Sequence, residues 1–400
     1  MDLKIAFEIK ELPLYFVSYK NGGKTFEVEA FDGFLTVLVQ YDYERRALLL
    51  NSEIRVGDSV EVILFDHRIE LYVNGVLKDE EWPAGKRLFD LGDVFTPNVK
   101  IDVTEFYKKD ENLPNVISTF EKAEGWYPGN GVFVGDCMPY TKNDEYHVLY
   151  LKDRHHHKSK WGLGAHQWEH ISTKDFCTWN VHPMAIPITE PWEGSICTGS
   201  WIENNGLEHL YYTVRCCNGL PAPILRSISK DGYHFIKDKE FSFIVSDKFH
   251  KASARDPKVV RDEDGVFHMF LTTSLVKENK GCLAHYVSYD MEKWIEQDEP
   301  IYVSPSADQP ECPDYFKYNG KYYLIFSLCG KAHYMVSDKP FDGFVMPSDP
   351  IIPCESVPKG AEWNGRLVFT GFKRINGYAG AMTFISATAD ETGKLIFEKL

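Results

Sequence analysis

The strongest constraint in this sequence is a repeat. Turn signals at Lys142-Asn143-Asp144, Asn204-Asn205-Gly206, Asp262-Glu263-Asp264-Gly265, Tyr318-Asn319-Gly320 and Asn364-Gly365 each precede an aromatic-rich run, such as YHVLYLKD from Tyr146 or FHMFLTTS from Phe267. Beyond each run an Asp follows shortly after a Ser: Asp175, Asp231, Asp290, Asp338 and Asp390, at intervals of 56, 59, 48 and 52 residues. Unequal intervals near fifty suit units of about four strands better than a solenoid of fixed period. Both series count five. The pattern predicts a five-bladed β-propeller over residues 126–400.

Residues 1–105 follow another pattern. Runs such as Phe34–Val39 and Ser59–Phe65 are rich in β-branched and aromatic residues, and Ile69–Leu77 passes through the hairpin dipeptide Asn74-Gly75. This half is predicted to be a β-sandwich, so the fold class is all-β, with residues 106–125 as linker and a short helix over Val116–Lys122. The LYVNGVL stretch resembles the strand-turn-strand units of concanavalin-type lectins, which implies a module suited to sugar capture.

Composition narrows the function. The 400 residues exceed what one core usually holds, which suits two domains. The net charge of −15 comes without any basic stripe, which argues against nucleic acid and anionic membranes as partners. A neutral carbohydrate is indifferent to that charge. Charged residues interrupt every apolar run near the N-terminus, and the nine cysteines include no C-x-x-C pair. Free thiols in a reducing cytoplasm are expected. No cofactor and no metal are predicted.

The first strand of a propeller blade lines the central funnel, and three acids fall on such strands. Asp136 lies in GVFVGDCMPY, Asp256 in ARDPKVVRDEDG and Glu311 in PECPDYFKYNG, each a few residues ahead of its turn signal. Isolated carboxylates mostly cap strands or face solvent; three in one structural phase point to a shared pocket. Cleaving a glycosidic bond needs an acid for the leaving oxygen and a carboxylate for the opposite face of the ring. Further negative charge stabilises the oxocarbenium-like transition state, and clustered carboxylates raise one another's pKa.

Arg255-Asp256-Pro257 and Glu311-Cys312-Pro313-Asp314 match the R-D-P and E-C-P-D motifs of glycoside hydrolase family 32, the invertases, levanases and inulinases. The segments Trp161-Gly162, His166–His170 and Ser172–Pro183 resemble a further family stretch, and Cys197-Thr198-Gly199-Ser200 resembles its substrate-lining F-S-G-S. The resemblance runs from Gly131 to about Phe326. It implies a retaining β-fructofuranosidase with Asp136 as nucleophile, Glu311 as acid/base, Asp256 as transition-state stabiliser and Arg255 on fructose hydroxyls. Trp161, His166, Trp192, Thr198 and Ser200 are the remaining candidates for substrate contact.

The chain departs from the family in two places. Only the Asp of the family's W-M-N-D-P-N-G survives in Phe133–Pro139, with Gly135 where an Asn would bond the sugar. Family members carry a sandwich after the propeller, and here one is predicted before it. An inverting arabinosidase or xylosidase of related fold, a silent sugar-binding protein and a fructosyltransferase are the alternative readings. Residues His155-His156-His157 point alternately on an extended segment, which suits a polar loop better than a metal site. Trp168 is expected in the core, and the Cys312 sulfur beneath Glu311.

Overall fold

The computed structural model describes residues 2–41, 48–64, 69–81, 87–93, 95–96, 101–106, 118–119, 126, 132–154, 166–190, 192–216, 220–375 and 378–400. The chain divides into two compact units, one holding residues 1–111 and the other most of the rest. The described residues contain strands, turns and a single 3-10 turn at Lys251–Ser253. No helix among them is long and apolar enough to cross a membrane.

The first unit is a β-sandwich. One five-stranded sheet runs Asp102–Phe106, Asp2–Glu8, Ser59–Leu64, Ile69–Val73, Val76–Glu81; the other runs Leu48–Glu53, Phe34–Val39, Gly23–Phe31, Leu14–Lys20, Phe95–Thr96. Alternation along Asp2–Glu8 sends Leu3, Ile5 and Phe7 inward to meet Phe16, Phe26, Val28 and Val37 of the other sheet in one core. Asn74 and Gly75 both have positive φ and join their strands by the expected two-residue hairpin.

The second unit is a series of five antiparallel meanders. They begin with the strands Val132–Lys142, Glu193–Asn204, Arg255–Arg261, Glu311–Tyr318 and Lys359–Trp363, and in each the following strands lie side by side in chain order. Both sequence echoes are turns within this unit. Asn143-Asp144, Asn205-Gly206, Asn319-Gly320 and Asn364-Gly365 take positive φ at both positions, as a tight hairpin between first and second strands requires. Asp175, Asp231 and Asp290 accept backbone N–H bonds from residues two and three ahead, folding the turn after the third strand. The helix expected over Val116–Lys122 is not found at Ser118–Thr119, which pair as strand with Thr178 and Trp179; its other residues lie outside the described ones.

The last meander closes on the first. Trp126 exchanges backbone hydrogen bonds with Met382, and Val134 pairs with Gly380. Neighbouring strands within a meander also approach one another closely at glycine. A Cβ at Gly199 would stand 1.8 Å from the Tyr211 carbonyl oxygen, so only glycine permits this approach. Gly199→Ala is expected to destabilise the chain by about 1–3 kcal/mol, as overpacking does, read as a lower urea midpoint with unchanged m-value.

Candidate active site

Three of the five first strands carry the same irregularity. Val134 to Cys137 oppose Lys152 to Tyr150, Arg255 to Lys258 oppose Thr272 to Phe270, and Glu311 to Asp314 oppose Ser327 to Ile325. In each case one residue too many enters the strand, so a β-bulge turns side chains off the sheet. All three candidate acids sit in these bulges. Glu311 is the first bulge residue, Asp256 the second and Asp136 the third, so the phase read from sequence holds to within one position either way. Asp256 and Cys312, at matching places, both adopt positive φ (56° and 52°).

These residues form one network. Asp136 accepts hydrogen bonds from the Thr198 hydroxyl at 2.5 Å, from the Tyr378 hydroxyl at 2.7 Å and from the Cys312 thiol at 3.5 Å. The Cys312 backbone N–H donates to Asp256 at 3.1 Å. Arg255 lies 3.5 Å from Asp256 through Nε and donates to Glu311 Oε1 at 2.8 Å. It also donates to Gln309 at 2.6 Å and to the Ser253 carbonyl at 2.9 Å. Asp256 is buried, whereas the Glu311 side chain is 39% exposed. Asp136 is therefore held by uncharged donors alone among these contacts, and the guanidinium serves the other two acids.

The other expected site residues fall in several places. Thr198 positions Asp136. His166 is buried with its ring 5.2 Å from that of Tyr378, the second support of Asp136. The Ser200 hydroxyl donates to the Pro257 carbonyl and accepts from Val259 N–H, tying the second meander to the bulge of the third. Trp192 is half-buried in the turn before Glu193. Trp161 and His155-His156-His157 lie outside the described residues. Trp168 is fully buried, and its indole N–H donates to the Cys197 carbonyl. The Cys312 thiol does not pack beneath Glu311 but points at Asp136.

Several residues of the site were not legible in the sequence. Tyr378 comes from the closing meander, 242 positions from Asp136. A Cβ on Gly135 would lie 2.8 Å from the Tyr378 hydroxyl, so the missing Asn of the family motif is space that this tyrosine fills. Lys258 and Asp314 each close a bulge at the same position and form an ion pair at 2.6 Å in which Asp314 is buried and Lys258 half-buried. Lys359, fully buried, donates to the Gly199 carbonyl, and burial lowers its pKa. These three residues, with Tyr140 and Trp201, line a cavity of about 370 Å³ next to the bulges.

Burial raises the pKa of Asp256 from its ordinary value, against the pull of Arg255. Such a group binds protons more tightly in the folded chain, so stability falls as pH rises from the unfolded pKa through the folded one. Asp256→Asn removes this cost and keeps an oxygen for the Cys312 N–H. The variant is expected to melt above wild type at pH 7, with the gap closing below about pH 4. A lower Tm at pH 7 would mean that the ion pair with Arg255 outweighs burial.

The sequence model described as "Glycosyl hydrolases family 32 N-terminal domain" matches residues 137–346, beginning one residue after Asp136. A sucrose-6-phosphate hydrolase of Vibrio alginolyticus is 26% identical over 213 residues, covering 50% of this chain and 42% of the relative. The chain thus spans less than half the length of such relatives. Among solved structures, a fructan 1-exohydrolase IIa variant from Cichorium intybus with 1-kestose superposes with a TM-score of 0.58 at 17% identity, over 69% of this chain and 60% of that one. A family 43 β-xylosidase/α-arabinofuranosidase from a compost metagenome gives 0.51 at 15% identity, over 70% and 98%. These two show the shared fold of β-propeller glycosidases. The family model covers just over half of the 400 residues, and the chain belongs to glycoside hydrolase family 32.

Proposed function

We propose that this protein hydrolyses β-fructofuranosyl bonds with retention of configuration, acting on a small fructoside such as sucrose, its phosphate or a short fructan. The five meanders are read as five blades over residues 126–400, with residues 1–105 as an accessory sandwich and 106–125 as connector. The observation that carries the proposal is the single network joining Asp136, Asp256 and Glu311 through Cys312 and Arg255.

The roles follow from the surroundings. Asp136 receives three uncharged donors, which orient it as an anion without neutralising it, as a nucleophile needs. Glu311 is the exposed acid, and Arg255 holds only its Oε1, so Oε2 is the oxygen that exchanges a proton with the leaving group and later with water. Asp256 is buried and fixed by a backbone N–H, placing a static negative charge where the ring becomes cationic. Arg255 serves Glu311 and Gln309, so a sugar hydroxyl reaching it competes with protein partners. The family resemblance and the sucrose-6-phosphate hydrolase relatives support the substrate class. The eight described cysteines are free, which suits a cytoplasmic setting.

The two catalytic carboxylates are expected to fail differently. Asp136→Asn should stop turnover of sucrose and of an aryl fructoside alike. Glu311→Gln should lower kcat on sucrose by about 10²–10⁴-fold yet still form the covalent ester from an aryl fructoside, whose leaving group needs little protonation. Azide should then release that ester as a product of retained configuration. Wild-type product of inverted configuration, observed before mutarotation, would recast Asp136 as a base for water and favour an arabinosidase-like mechanism.

A further inference from the structure

The first meander contains a group of side chains that fructosyl chemistry does not use. His147 lies on the second strand, Glu145–Arg154, and His170 on the third, Gln167–Thr173. His147 pairs with Ser172 and Leu149 with His170, so the two imidazoles occupy diagonal positions on one face. His182 follows the fourth strand, and its backbone N–H donates to the His170 carbonyl at 2.9 Å. Ring nitrogens of all three lie within 4.8 Å of one another, with His147 Nδ1 and His170 Nε2 only 3.1 Å apart. His147 and His170 are buried, and the half-buried His182 forms the rim.

Two further observations point to a ligand. The first is a chain that sets the tautomer of His182. The Ser172 hydroxyl spends its proton on Glu145 Oε2 at 2.8 Å, so its oxygen accepts from His182 Nε2–H, also at 2.8 Å. That leaves the lone pair of His182 on Nδ1, in the arrangement by which an outer carboxylate orients a metal-binding imidazole. The second is competition for one nitrogen: His170 Nε2 has a single proton or lone pair to offer, yet both His147 Nδ1 and the Tyr140 hydroxyl lie 3.1 Å from it. Hydrogen bonding alone therefore does not satisfy these rings.

The third meander supplies an internal comparison. His268 and His285 occupy the same diagonal, with Nδ1 and Nε2 2.9 Å apart. There His268 Nε2 turns to Asp262, and the Phe341 ring stacks on it at 3.7 Å. A paired histidine is thus a recurrent packing device of these strands. The third imidazole and its Ser172–Glu145 support are what the first meander adds.

We propose that His147, His170 and His182 bind a transition-metal ion of the Zn²⁺ class, which staples the outer strands of the first meander together. Three imidazoles without a carboxylate suit zinc, nickel, cobalt or copper and not calcium or magnesium, which take oxygen. Tetrahedral zinc with nitrogens at 2.0–2.1 Å separates its ligands by about 3.3 Å, close to the His147–His170 spacing. Water completes the coordination at the His182 rim.

The test uses the full chain made without a polyhistidine tag, stripped with chelator and titrated with Zn²⁺ by calorimetry, with Tm followed in parallel. One equivalent is expected to bind, with Tm rising as Zn²⁺ does and unmoved by Ca²⁺. His170→Ala and His182→Ala should abolish the site, and Ser172→Ala should weaken it by about 10–100-fold. His285→Ala and alanine substitution of His155, His156 and His157 should leave it intact. If His170→Ala fails to fold, His182→Ala at the half-buried rim decides. The proposal is overturned if stripped wild type shows no saturable binding, if binding survives His182→Ala, or if only the 155–157 variant loses it. Binding and melting are read without substrate, so the result stands apart from fructoside hydrolysis.

Discussion

A strand that sets four residues against its neighbour's three cannot keep all its side chains perpendicular to the sheet, and the arrangement of the three acids depends on that mismatch. The bulges at Val134–Cys137, Arg255–Lys258 and Glu311–Asp314 repeat one distortion in three meanders, yet a different bulge position bears the acid each time. A single backbone device therefore presents three carboxylates in three environments. One is held by hydroxyls and a thiol, one is buried over a backbone amide, and one is exposed beside a guanidinium. Cys312 is the hinge of the arrangement, because its N–H and its thiol serve different acids.

Buried charge near the bulges is balanced, not avoided. Asp314 takes Lys258 as ion partner and the N–H groups of Tyr315 and Gly360 as further donors, which offsets the cost of removing both charges from water. Lys359 rests on a carbonyl instead, and burial lowers its pKa. Stability here is exchanged for fixed polar groups around the acids.

The repeat made most of the fold legible, because the residues that mark it do local work: Asn-Gly pairs fold hairpins and Ser/Thr-x-Asp units fold the later turns. Asp256 and Glu311 stood out because their motifs are contiguous, and Asp136 because it shares their phase in the repeat. Tyr378 did not, since nothing near Ala379-Gly380 signals that ring closure brings it to Asp136. The bonds of Ser200 to the Pro257 carbonyl and Val259 N–H were not legible either, because a short motif carries no record of partners 57 and 59 positions away. The His147–His170–His182 group escaped notice because its members are 23 and 12 positions apart, whereas the conspicuous run at 155–157 drew attention by adjacency alone. The short helix expected over Val116–Lys122 failed at Ser118–Thr119 for a related reason: local propensity yields to an available strand edge.

Ring closure has a consequence for biosynthesis. A ribosome releases Asp136 long before Tyr378, and before Trp126 can meet Met382. Domains fold during translation as their parts emerge, at roughly 5–20 residues per second, so the first four meanders wait on the order of ten seconds for the fifth. During that interval the Val132–Lys142 strand lacks its Gly380 partner, and its carboxylate lacks one of its two hydroxyl donors. A nascent chain holding all three acids thus has an incomplete acid cluster and an open sheet edge. Synthesis itself keeps the cluster unfinished until the fifth meander leaves the ribosome.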